Sequence, residues 1–236
     1  MLRYVYGVET GLRHKKQGGC GADSVLALKE DDKLFFALSD GAGSSSLSHR
    51  VSQVIVYEAI RLMREGIFPG DLLPLLAATI REIFSGVDKR ELYSTFIGGI
   101  YDKNGTLNYT SIGDSVVLYR RGGVWYSSPI VKGEFANETM FLLSEGWQEF
   151  SIYEEKEGID AMVASSDGLG GVYFFYKMQE DTSWYVEASH KYLNRLADAV
   201  CSGSLTYDNI GDLLGNEKIM KINDDDKSVV IACNGL

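Results

Sequence analysis

Two apolar runs in this 236-residue chain end the same way: "FFALSDGAGS" stops at Asp40-Gly41 and "AMVASSDGLGG" at Asp167-Gly168. A strand that crosses a core and ends in Asp-Gly delivers a carboxylate to the sheet edge. The glycine then lets the backbone turn sharply or bring its own carbonyl up to a ligand. Three further acids have a related setting: Asp23 in "CGADSVLAL" and Asp225 in "NDDDKSVVIA" each precede a strand-like run, and Asp114 sits in "SIGDSVV". Carboxylates gathered at close range raise one another's pKa and oppose folding. Hard divalent cations such as Mg²⁺ or Mn²⁺, which prefer oxygen ligands, relieve that repulsion. Any one Asp-Gly is also an ordinary turn; repetition of the strand-to-Asp-Gly step is what points to a shared site.

The elements that must position these acids are legible as short strands and amphipathic helices. "YVYGVE", "SVLALKE" and "KLFFALSD" are rich in β-branched or aromatic residues and bounded by Gly or charge, which predicts strands. After the serine run the period changes. Val51, Val54, Ile55, Ala59, Leu62 and Met63 fall on one helical face with Gly66 as a stop, and a second helix from about Asp71 carries Leu72, Leu75, Leu76, Ile80, Ile83 and Phe84. The stretch "STFIGGIYDKNGTLNYTSIGDSVVLYRRGGVWYSS" alternates strand runs with "KNG" and "RGG" turns. "TMFLLSEG", "FSIYEEK" and "GIDAMVASSDG" continue the series. A third helix is expected from about Ser183 to Val200, with Tyr185, Ser189, Leu193, Leu196 and Val200 on one side. A short one follows around Asn209 to Leu214, and then a last strand, "KSVVIACN". This order lacks the βαβ alternation of a parallel sheet. It predicts an α+β fold, a four-layer α-β-β-α sandwich of two antiparallel sheets packed face to face, with a helical pair outside each. No linker or repeat divides residues 1–236, so a single domain is expected.

Composition narrows the function. The chain is 45% hydrophobic, enough for a sizeable core. Its formal charge of −10 argues against a nucleic-acid backbone or an anionic membrane surface as partner. Cys20, Cys201 and Cys233 are far apart and odd in number, which suggests neither a disulfide framework nor a CxxC metal site and points to a reducing, cytoplasmic location. The start "MLRYVYGVETG" has no signal-peptide pattern, and no apolar run reaches membrane-spanning length. There is no GxSxG elbow, and "DGLGG" lacks the Lys-Ser/Thr of a P-loop.

Taken in order, "GADS", "SDGAGS", "STF", "GDS", "SSDGLGG" and "DDKSVV" resemble the metal-dependent serine/threonine phosphatases of type 2C, over residues 10 to 233. "RHKKQGGCGADS" and "GEFANETMFLLS" are most similar to a compact bacterial branch of that family. The resemblance implies that Asp40 bridges two Mn²⁺ or Mg²⁺ ions, with the Gly41 carbonyl on the second, and that Asp167 and Asp225 are terminal ligands of the first. Asp23 would hold metal-bound water, and Asp114 would serve a third, weaker ion. The implied reaction is hydrolysis of phosphoserine or phosphothreonine in proteins, the products of a separate serine/threonine kinase, by a bridging water held between the two cations.

Three positions depart from the family pattern. Ala22 stands where a side-chain amide or carboxylate is usual, Val116 follows "GDS" in place of a basic residue, and the phosphate-gripping arginine has no exact counterpart. Arg13 and His14 lie nearby. Arg13 could clamp phosphate through its planar fork or merely offset surface acids. His14 could contact phosphate or protonate the leaving oxygen, or be an exposed loop histidine beside Lys15 and Lys16. His49 and His190 read as structural or exposed, Ser94 and Thr95 as strand residues beneath the site, and Asp224 and Asp226 as outer-shell or solvated. The departures favour an alternative reading, a catalytically weak relative acting as a binding or regulatory module; a small-molecule phosphatase would share the same chemistry.

Overall fold

The computed structural model describes residues 1–43, 45–130, 139–179 and 183–235. Twelve strands and six α-helices are defined among them: β1 (Leu2–Glu9), α1 (Leu12–Gln17), β2 (Asp23–Glu30), β3 (Lys33–Asp40), α2 (Ser48–Arg64), α3 (Leu72–Ile83), β4 (Phe96–Asp102), β5 (Leu107–Ile112), β6 (Val116–Arg121), β7 (Val124–Ser127), β8 (Ile152–Lys156), β9 (Ala161–Ser165), β10 (Phe174–Met178), β11 (Trp184–Ala188), α4 (His190–Ser202), α5 (Ile210–Leu214), α6 (Glu217–Ile222) and β12 (Lys227–Asn234). One five-stranded sheet has the order β1-β12-β9-β6-β7 and the other β2-β3-β4-β5-β8; β10 and β11 form a separate hairpin. Every pairing between these strands is antiparallel.

Side-chain alternation along the strands builds three apolar layers. From β3, Leu34, Phe36 and Leu38 point between the sheets, where they meet Met162 and Ala164 of β9 and Val230 and Ala232 of β12. Phe35 and Ala37, on the opposite face of β3, pack under Val51, Ile55, Ala59, Leu72, Leu76 and Ile80 of α2 and α3. Val163, Val229 and Ile231 face Leu193, Leu196, Ala197, Ile210 and Leu214 of α4 and α5. Strands covered on both faces read as near-continuous apolar runs for this reason, and the four-layer expectation holds.

Several local expectations are corrected. Residues 184–188 are strand, not the first turn of a helix, because Trp184, Tyr185 and Val186 pair with β10; the helix begins at His190. Leu75 and Ile83 are exposed while Leu73 and Ala77 are buried, so the apolar stripe of α3 is rotated relative to the one read from the sequence. Among the described residues "TMFLLSEG" forms no named strand, and Leu142 makes an isolated bridge with Ser94; residues 133–138 of "GEFANETMFLLS" lie outside the described residues. Two short helices, α1 and α6, were not anticipated. Cys201 and Cys233 form a disulfide between α4 and β12, Cα atoms 6.0 Å apart, while Cys20 is free and exposed. Packing of α4 on β12 brings together two cysteines 32 positions apart in sequence, and the argument from unpaired thiols to a reducing compartment loses its premise. No described helix is long and apolar enough to cross a membrane.

Candidate functional site

Strand register brings the acids to one end of the sandwich. Asp23 and Asp40 are direct cross-strand partners at the end of the β2–β3 pair. In the other sheet Val116, Ser165 and Val229 are aligned across β6, β9 and β12, so Asp114, Asp167 and Asp225 fall just beyond that edge. A cleft of about 110 Å³ forms there, lined by Arg13, His14, Ala22, Asp40, Gly41, Ala42, Gly43, Thr95, Asp114, Thr139, Phe141, Asp167, Asp225 and Asp226. A larger cavity of about 500 Å³ lies against Arg3, Arg120, Asp198 and Cys201; it draws acids from only two positions, and Arg120 already pairs with both.

Asp40 is the electrostatic centre of the cleft. Burial raises its carboxyl pKa well above the usual carboxylate range, and the charges of Asp23, Asp167, Asp114 and Asp225 push in the same direction. Its backbone is pinned on both sides: its N–H donates to Thr95 Oγ1 at 3.1 Å, and its carbonyl accepts from Thr95 N at 2.8 Å and Ser94 Oγ at 2.8 Å. Gly41 follows in a space where a Cβ would stand 2.6 Å from Ser48 Cβ; only glycine fits against α2 there.

Asp23 does not line the cleft but lies beneath it. Neither of its buried carboxylate oxygens has a hydrogen-bond partner among the described residues. Burial raises its pKa to about 6; the nearby Ser166 and Ser228 hydroxyls moderate that rise without closing a bond, and Asp226 adds to it. Unpartnered buried carboxylate oxygens are costly unless a cation or its water meets them. The carboxylates are hard oxygen donors drawn from both sheets, and burial together with the neighbouring carboxylates raises the pKa of the central one, Asp40. Such a set fits divalent cations.

Arg13 and His14 are placed by α1, not by a loop. Arg13 pairs with Asp225 Oδ1 at 3.0 Å, its side chain half-exposed. His14 is mostly buried, with Nδ1 2.8 Å from Asp226 Oδ2. Asp226, read from the sequence as outer-shell or solvated, is buried and accepts two further bonds, from Gly11 N to Oδ1 (2.7 Å) and Ala22 N to Oδ2 (2.6 Å). Burial alone would raise its pKa, but the bonds from Gly11, His14 and Ala22 outweigh that and hold it low. Asp226 thus clamps both ends of the 11–22 segment over the cleft. Asp114 accepts from Thr139 Oγ1 at 2.8 Å, and its carbonyl accepts from Tyr176 Oη at 2.6 Å.

All the sequence-derived site residues therefore converge here, with Asp23 one layer deeper than the rest. Thr95 lines the cleft in addition to supporting Asp40. Ala22 presents its methyl group where a polar side chain was expected, Val116 is fully buried in β6, and Arg13 lines the cleft. His49 and His190 do not line it. Sequence reading missed Thr139, Phe141, Tyr176 and the importance of Asp226. Thr139 and Phe141 fall in "GEFANETMFLLS", which carried a family resemblance but no assigned site residue, and Tyr176 lies in a segment with no motif; for Asp226, the run of three acids was the signal, and the motif directed attention to its neighbour Asp225.

The family model described as "Protein phosphatase 2C" matches residues 10–206. No curated protein matches the chain. Among solved structures the chain is similar to serine/threonine phosphatase Stp1 from Staphylococcus aureus, at 14% identity and TM-score 0.66, covering 99% of this chain and 95% of that one. It is similar to the photosystem II phosphatase PBCP at 16% identity and TM-score 0.62, over 99% and 98% of the two chains. It also matches a bacterial serine phosphatase at 12% identity and TM-score 0.63, over 100% and 99%. At these identities the likeness is one of fold.

Proposed function

The chain belongs to the protein phosphatase 2C family, metal-dependent protein serine/threonine phosphatases, and from that premise we propose that the acidic cleft hydrolyses phosphoserine or phosphothreonine in proteins. Asp40, Asp167 and Asp225 are the assigned carboxylate ligands and the Gly41 carbonyl a further one, for two cations, Mn²⁺ or Mg²⁺. Asp23 would hold metal-bound water, and Asp114 with Thr139 would offer a weaker third position. Bound there, the cations would supply Lewis-acid charge to the phosphoryl group and lower the pKa of water. The observation that carries this reading is the convergence of Asp40, Asp114, Asp167 and Asp225 from both sheets on one cleft, where burial and then the neighbouring carboxylates raise the pKa of Asp40.

The chain's own residues do the rest. Arg13, half-exposed at the cleft, is placed to grip phosphate oxygens with its planar fork. Asp226 engages His14 through Nδ1, which leaves Nε2 as the ring atom available to the leaving oxygen. No protein nucleophile is assigned. The same reading treats residues 1–236 as one domain, supported by an inter-sheet core drawn from both halves of the sequence. The substrate is a phosphorylated protein produced by a separate kinase.

The test is hydrolysis of p-nitrophenyl phosphate and a phosphothreonine peptide with Mn²⁺, then with excess chelator. Turnover is expected to vanish in chelator and to fall by about 100-fold or more in Asp40→Asn and Asp167→Asn. Turnover indifferent to chelator, or intact in both folded variants, contradicts the assignment.

A further inference from the structure

Asp226 is followed by a lysine with no exposed surface, Lys227 at the start of β12. Fully buried lysines are uncommon and need partners. Here the partners are backbone carbonyls: Nζ donates to Asn223 O at 2.8 Å and Asp225 O at 2.6 Å. Asn223 passes the restraint on. Its Oδ1 accepts from Asp225 N at 3.0 Å, and its Nδ2 donates to the carbonyl of Asp167 at 3.1 Å. The lysine stem runs beneath the neighbouring turn, where a Cβ on Gly168 would lie 3.2 Å from Lys227 Cγ. Burial lowers the ammonium pKa, and the charges of Asp225, Asp226, Asp23 and Asp224 oppose that fall; these are the carboxylates that face it.

We propose that Lys227, acting through Asn223, is a positioning residue for metal loading: it ties the turn carrying Asp225 to the turn carrying Asp167, so both carboxylates are preset for one cation. The inference rests on the ligand assignment above. Two effects of a cation in this place oppose each other. As a charge, Lys227 repels an incoming metal ion, and its removal would tighten binding. As a tether, it fixes ligand geometry, and its removal would loosen binding. The ammonium bonds carbonyl oxygens and leaves the carboxylate oxygens to other partners, so the tether dominates. Loss of partners that orient metal ligands typically weakens affinity by about 10- to 100-fold.

The experiment is Mn²⁺ titration by calorimetry of the full chain, comparing wild type with Lys227→Met, Lys227→Gln, Asn223→Ala and Asp225→Asn. Folding of each is checked by circular dichroism in chelator. Lys227→Met and Asn223→Ala are expected to bind Mn²⁺ about 10-fold more weakly or worse, with Lys227→Gln, which keeps a donor but no charge, between them and wild type. Affinity is read on folded protein at fixed temperature, so lost stability alone does not move it. Unchanged or tighter binding in Asn223→Ala, or in Lys227→Met where it folds, overturns the proposal. If Lys227→Met does not fold, Asn223→Ala decides. Wild-type Mn²⁺ affinity in Asp225→Asn signals failure of the ligand assignment itself, which is distinct from failure of the tether.

Discussion

Replacing Asp23 with Asn should stabilise the metal-free protein at neutral pH. The Asp23 carboxyl is buried, with no hydrogen-bond partner on either oxygen among the described residues, and its pKa is pushed from 3.8 to about 6, chiefly by burial. The folded chain therefore holds this proton more tightly than the unfolded chain. Its stabilising contribution is fully present below about pH 3.8, declines as pH rises, and is gone above about pH 6. Tenfold in proton affinity corresponds to about 1.4 kcal/mol, so the swing across that window is about 3 kcal/mol. Asparagine has nearly the same volume and no proton to lose, and it also removes one of the charges pressing on Asp40. In chelator, the stability of Asp23→Asn relative to wild type should climb by about 2.5 kcal/mol between pH 4 and pH 7.5. Urea unfolding followed by the fluorescence of buried Trp125 and Trp147 reports it. With Mn²⁺ present the advantage should shrink or reverse, because a cation relieves the same charge. A relative stability that is flat with pH, or falls as pH rises, refutes the picture of an acidic cluster frustrated for want of cations.

Two further substitutions probe how the cleft is held. A Cβ on Gly168 would fall onto the carbonyl oxygen of Asp226, a backbone atom that cannot swing aside; Gly168→Ala should cost about 3 kcal/mol in urea unfolding and loosen the Asp167 turn. Asp226→Asn keeps the shape but offers one acceptor oxygen where Gly11 N, Ala22 N and His14 Nδ1 now share two. It should lose about 2 kcal/mol at pH 7, a penalty that fades at acidic pH, since the wild-type contribution disappears as pH drops through the lowered pKa of Asp226.

How much of this was legible in the sequence follows from which interactions are local. Strands β3, β9 and β12 announce themselves because each is covered on both faces and so reads as an apolar run flanked by an acid. The Asp-Gly steps at 40 and 167 survive translation to the cleft because strand register carries them there. Trp184, Tyr185 and Val186 were misassigned because their strand exists only by pairing with β10, which has no signature of its own. The Cys201–Cys233 link and the Lys227–Asn223–Asp167 tether were invisible for the same reason: each joins elements that packing, not sequence proximity, brings together. Among Asp224, Asp225 and Asp226 the motif singles out 225, but only the three-dimensional arrangement shows that 226 turns inward to grip Gly11, His14 and Ala22.

The central claim is tested most directly by the anomalous scattering of Mn²⁺ in crystals of the full chain grown with the metal. Two peaks are expected, both in contact with Asp40, one of them also coordinated by Asp167 and Asp225. Manganese bound elsewhere, or a peak at the cleft that Asp40, Asp167 and Asp225 do not share, would contradict it.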